Sequence, residues 1–122
     1  MKRTAAFFLL LAATLLTGCG QRSETRILLT GGWAPPGQAC DSHDGVFYDK
    51  TGTWAGDNVA GDWALSGDHL TTRVKERGGF DRPARKVTGE KPVSTTILSI
   101  SRTELVEKLE DGRTLKLQRC RG

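Results

Sequence analysis

The hydrophobic positions of this chain change their spacing near residue 19. Before that point they run together, since Ala5 to Leu16 is apolar at every position except Thr14. Beyond it they come in short alternating runs separated by turn residues. "DWALSGDHLTTRV" is the clearest: Trp63 and Leu65 share one face, Ser66-Gly67-Asp68 turns, and Leu70, Thr72 and Val74 alternate on the return. Period two, a turn and period two again predict a β-hairpin. Val46-Phe47-Tyr48 predicts a further strand leading into an Asp49-Lys50-Thr51-Gly52 turn, and the β-branched run Val93 to Ile100 predicts a longer one. Ile27-Leu28-Leu29 is read as the start of the first strand. The three glycines and two prolines of "GGWAPPGQAC" argue against regular structure there. Arg73 to Lys91 reads as a basic, irregular stretch.

The tail "SRTELVEKLEDGRTLKLQRC" supports two elements. Ser101 with Glu104 fits a helical capping box. Asp111-Gly112, followed by alternating Leu115 and Leu117, fits a hairpin instead. A two-residue loop would set Glu110 opposite Arg113, Glu107 opposite Lys116 and Glu104 opposite Arg119. These three opposite-charge pairs favour the hairpin. A three-residue loop placing Leu105 opposite Leu117 is the alternative register. The sum is six to eight short strands with frequent turns. It predicts an all-β domain, a small antiparallel meander forming a barrel or sandwich, after an N-terminal signal helix.

The leader carries a second message. Lys2 and Arg3, the apolar run and the small residues Thr17 and Gly18 follow the plan of a secretory signal. The run is too short to span a bilayer, which takes about 20 apolar residues. Leu16-Thr17-Gly18-Cys19 resembles the lipobox of bacterial lipoproteins. That resemblance implies cleavage before Cys19, thioether diacylation of its sulfur and N-acylation of the new terminus. Gly20, where an aspartate would favour the inner membrane, implies the outer membrane, facing the periplasm. The expected organisation is a signal peptide over 1–18, a lipidated tether over 19–26 and one small β domain over 27–122.

Removing the leader changes the charge. Sixteen basic and fourteen acidic residues remain, a net charge of +2, which together with export argues against a nucleic-acid partner. Cys40 and Cys120 become an even pair in an oxidising compartment, where a disulfide is the expectation. The order of Trp33, Cys40, "GTW", "DWALSGDHL" and the closing "DGR-x-L-x-L-x-RC" is similar to small lipocalin-like β-barrel domains of exported bacterial proteins. The resemblance bears on fold alone.

Candidate chemistry is sparse. "CDSHD", Cys40 to Asp44, places a thiol, two carboxylates and an imidazole in one loop. Consecutive loop residues diverge, however, and metal or triad geometry needs convergence from separate segments. No metal site, cofactor or catalytic centre is predicted, and the chain is read as a non-enzyme. Trp33, Trp54 and Trp63 suit a core or the lining of a ligand cavity. Charge is segregated: Asp41 to Asp68 holds six aspartates and one lysine, whereas Arg73 to Lys91 holds seven basic and three acidic residues. Arg82, Arg85 and Lys86 are accordingly candidates for contact with anionic lipid or an acidic envelope protein. The expected function is a membrane-anchored binding or interaction module. The alternatives are a carrier of a small lipophilic ligand and an inhibitor of an exported hydrolase.

Overall fold

Nearly every alternating run becomes one strand of a closed antiparallel barrel. The structure, a computed structural model, describes residues 19–79 and 82–120, with side chains from residue 24 onward. The expected signal peptide over 1–18 lies outside the described residues. One helix, α1 (Cys19–Leu29), precedes nine strands: β1 (Gly31–Ala34), β2 (Val46–Tyr48), β3 (Thr53–Gly56), β4 (Val59–Ser66), β5 (His69–Arg77), β6 (Arg85–Lys86), β7 (Val93–Ile100), β8 (Glu104–Lys108) and β9 (Thr114–Arg119). Strands β1 to β5 pair in sequence, β5 pairs with β7, and β9 returns to β1. Eight strands therefore form the ring, and β6 is an extra strand on the last residues of β5. The prediction left barrel and sandwich open; the fold is the barrel.

The expected hairpin forms with Leu65 opposite Leu70 and Trp63 opposite Thr72. Its β4 strand carries a bulge at Ala60/Gly61, and there glycine is required because a Cβ on Gly61 would collide with the Arg73 carbonyl. The β7 strand has the predicted limits.

Four local expectations are corrected. Residues 27–29 form the last turn of α1 instead of a strand, because Leu29 docks into the barrel end as a fully buried core residue. The "GGWA" segment is β1 despite its glycines, since Trp33 faces inward and its neighbours lie against β2 and β9. Strand β5 continues to Arg77, so the irregular stretch begins later than predicted. The β8–β9 hairpin takes the three-residue register, Leu105 opposite Leu117 and Val106 opposite Lys116. Burying that leucine pair outweighs exposed ion pairs, which contribute at most about 1 kcal/mol each. Ser101 caps a turn, not a helix: its hydroxyl accepts the N–H groups of Thr103 and Glu104.

Inward positions build the core from Leu29, Trp33, Tyr48, Trp63, Leu70, Ile97, Leu105 and Leu117, with Trp54 half-buried against them. Each indole N–H donates to a backbone carbonyl: Trp33 to Leu29 at 2.8 Å, Trp54 to Arg73 at 3.2 Å and Trp63 to Asp49 at 2.8 Å. The three tryptophans thus serve the core with their polar atoms satisfied.

Helix α1 closes one end of the barrel. Its C-terminal carbonyls lack intrahelical partners, and Arg119 meets them by donating to the carbonyls of Leu28 and Thr30, and also to that of Arg102. The same guanidinium lies 4.2 Å from the Trp33 ring centroid, and Arg26 stacks similarly on Trp63 at 4.3 Å. Burial lowers the Arg119 pKa below its ordinary value. Arg119→Lys keeps the charge but loses the fork, leaving carbonyls unmet. It is expected to cost about 2 kcal/mol in urea unfolding and to speed amide exchange in α1 ahead of the barrel strands.

Candidate functional site

The strand registers give the barrel two distinct ends. The helix end carries α1, the Asp49–Gly52 turn, the β4–β5 turn and Arg119. The far end carries the β3–β4 turn, the last residues of β5, and β6. The arginines singled out by sequence are at the far end. Arg85 and Lys86 are β6, opposite Arg77 and Glu76. The carbonyl of Arg82 accepts the Gly79 N–H at 2.6 Å, which holds Arg82 near the end of β5. Gly78, at φ +88°, occupies a left-handed conformation that favours glycine.

Arg82 and Arg85 line a cleft of about 590 Å³ together with Arg77, Asn58, Gly78 and Pro83. Lys86 does not line it. Arg77 is held by a bidentate pair with Glu90, at 2.7 and 3.0 Å, and the bonded carboxylate raises its pKa. Arg85 directly faces Arg77 across the strand pair. Like charges so placed repel, and no carboxylate pairs with Arg82 or Arg85 among the described residues. The cleft is therefore electrostatically suited to an anion. Sequence reading found the charges of 82 and 85. It missed Arg77 and Asn58, which β5–β6 and β4–β5 pairing bring beside them.

A second groove of about 450 Å³ adjoins the first. Its outer wall is the loop from Cys40 to Gly45, and its floor includes Phe47 and Ala55, paired across β2 and β3. Cys40 is bridged to Cys120, with 5.4 Å between the Cα atoms, so the loop is tied to the end of β9. His43 Nδ1 lies 2.7 Å from Asp57 Oδ2, bridging the loop to the β3–β4 turn. Asp44, its neighbour in "CDSHD", is not the partner. His69 sits at the opposite end of the barrel beside Asp68, at 3.6 Å. Among the described residues no group of three or more His, Cys, Asp or Glu side chains could hold a metal ion.

One carboxylate among the described residues lies inside the barrel. Glu107 is 4% exposed, opposite Leu115 and Ile97, and its Oε1 has no hydrogen-bond partner. Burial pushes its pKa up to about 7. Burial, and to a lesser degree the Glu107 carboxylate, raises the pKa of the Tyr48 phenol above its ordinary value.

Cys19 is the first residue of α1, while its sulfur, the expected lipidation site, lies outside the described side chains. No helix among the described residues is long and apolar enough to cross a membrane. Comparison with protein families, with curated proteins and with solved structures finds no match to this chain.

Proposed function

We propose that the chain is an exported lipoprotein, acylated at Cys19 and held at the outer membrane facing the periplasm, whose barrel acts by binding rather than by catalysis. The observation that carries the binding reading is the far-end cleft, where Arg85 lies opposite Arg77, Arg82 lines the same cleft, and neither Arg82 nor Arg85 pairs with a carboxylate among the described residues. An acidic envelope protein, including an exported hydrolase to be inhibited, suits it. The carrier reading is less favoured. Trp33, Leu29, Leu70 and Leu105 are fully buried in the interior, and none of the clefts described above is lined by these core residues.

The geometry also bears on anionic lipid as a partner. Lipid on Cys19 would put the membrane on the side of α1, and the arginine cleft is at the other end of the ring. The anchoring bilayer is thus a poor match for Arg82 and Arg85.

Intact mass of protein extracted from its native membrane tests the anchor: the expected species starts at Cys19, carries acyl mass and gains two hydrogens on reduction. Cross-linking in the envelope tests the binding face. Arg82→Glu/Arg85→Glu is expected to lower partner capture at least tenfold with circular dichroism unchanged. Equal capture would reject this face.

A further inference from the structure

We infer that the arginine cleft and the adjoining groove form one continuous site for an acidic polypeptide segment bearing a large apolar side chain. This deepens the binding reading above and rests on it. The two concavities share Asn58 and Gly78 in their walls. At that seam the Gly78 N–H donates to the Asn58 carbonyl at 2.7 Å, fixing one wall against the other.

The chemistry differs along the site. At one end stand Arg82 and Arg85. At the other, Phe47 is 50% exposed beside Ala55 and Val59, one of the few large apolar side chains left at the surface. Asp41 and Asp57 also line the apolar part. A ligand that is anionic throughout, such as a polyphosphate or a charged lipid surface, would gain at the arginines and be repelled at these aspartates. The complementary ligand confines its negative charge to one portion and offers apolar surface to the other.

Depth decides between a polypeptide and a small amphiphile. Sites for small molecules bury most of the ligand surface. A half-exposed Phe47 on the outer wall of β2 cannot surround an acyl chain. A polypeptide gathers its affinity over a longer path and needs no enclosure. The walls are also held in place before binding. The disulfide ties the 40–45 loop, Glu90 clamps Arg77, and the Gly79 N–H holds the Arg82 carbonyl. Such preorganisation limits the ordering cost.

The test is fluorescence anisotropy with the full-length lipoprotein in nonionic detergent. Labelled ten-residue peptides carry two glutamates placed two to five residues from a phenylalanine, with matched peptides having alanine for phenylalanine or lysine for glutamate. The expected result is that one spacing binds at least tenfold more tightly than either control. Phe47→Ala and Arg82→Glu/Arg85→Glu should each weaken it tenfold or more, whereas Arg102→Glu, at the helix end, should change it less than twofold. Binding unaffected by Phe47→Ala would remove the extended site and leave the arginine cleft standing. Indifference to Arg82→Glu/Arg85→Glu would remove both. Displacement of the peptide by laurate or inorganic phosphate at the peptide's own concentration would assign the site to a small anion and overturn the proposal, as would a failure of every peptide to bind.

Discussion

Replacing Cys40 and Cys120 together by alanine is expected to lower the unfolding free energy by about 4.5 kcal/mol, as the loop-entropy relation gives for a closure of this length. The bridge spans 80 residues of sequence, so it restricts most of the unfolded chain. A domain of this size has a total stability of roughly 5–15 kcal/mol. The double variant would therefore lose between about a third and nearly all of that stability, and its urea midpoint should fall in the same proportion. The loss has a local part as well. The 35–45 segment connects β1 to β2 with few backbone bonds, among them Gln38 to Pro35, Ser42 to Ala39 and Gly45 to Ser42. Without the bridge, amide exchange should rise first around Cys40 to Gly45, and the groove beside Phe47 should lose its outer wall. A double variant as stable as the parent would mean that the closed β1–β9 seam already supplies what the disulfide was thought to add.

Glu107→Gln should move stability in the other direction, and only above a certain pH. A glutamate in an unfolded chain titrates near 4.3, whereas inside this barrel Glu107 is raised to about 7 by burial. Between those values the native state binds more protons than the unfolded one, so stability falls as pH rises. The neutral form's contribution is complete below about pH 4 and gone once the pH has passed through 7, a difference of roughly 3 kcal/mol. Glutamine stays uncharged throughout. The variant is expected to match the parent at pH 4 and to exceed it by about 3 kcal/mol at pH 8, measured by urea unfolding at both values. Parallel pH dependences in parent and variant would show that the carboxylate is solvated or paired when charged. Tyr48 is the partner to watch, because the charge of Glu107 adds to the rise in its phenol pKa.

The same residue shows where sequence reasoning reached its limit. The 62–74 part of the β4–β5 hairpin was legible because alternation, a Gly-Asp turn and two facing leucines all specify one register. In the tail these signals conflict. Charge pairing favoured Glu107 opposite Lys116, whereas apolar burial favoured Leu105 opposite Leu117, and choosing the second turns Glu107 inward. Nothing in the local pattern announces that a barrel will accept a carboxylate in its core. Helix α1 escaped notice for a different reason. Its apolar content is a short Ile27-Leu28-Leu29 run, and what stabilises its end is docking, through Leu29 in the core and Arg119 on its carbonyls. The candidate site was half legible. Arg82 and Arg85 stand out as charges in a turn-rich segment, but Arg77 joins them through β5–β6 pairing and Asn58 through β4–β5 pairing.

Closure of β1 on β9 sets the order in which such a chain can mature. Trp33 pairs with Arg119, and Cys120 donates its N–H to the Gly32 carbonyl, so the seam joins segments far apart in sequence. Folds dominated by non-local pairing form slowly, on the order of milliseconds to seconds. Until β9 arrives, β1 presents an open edge and invites pairing with other chains. For a chain exported as proposed, N-terminus first, that edge would stay bare throughout translocation. Ring closure, docking of α1 under Arg119 and oxidation of Cys40 with Cys120 would then fall together in one late step after the crossing, with holding chaperones needed before it and not after.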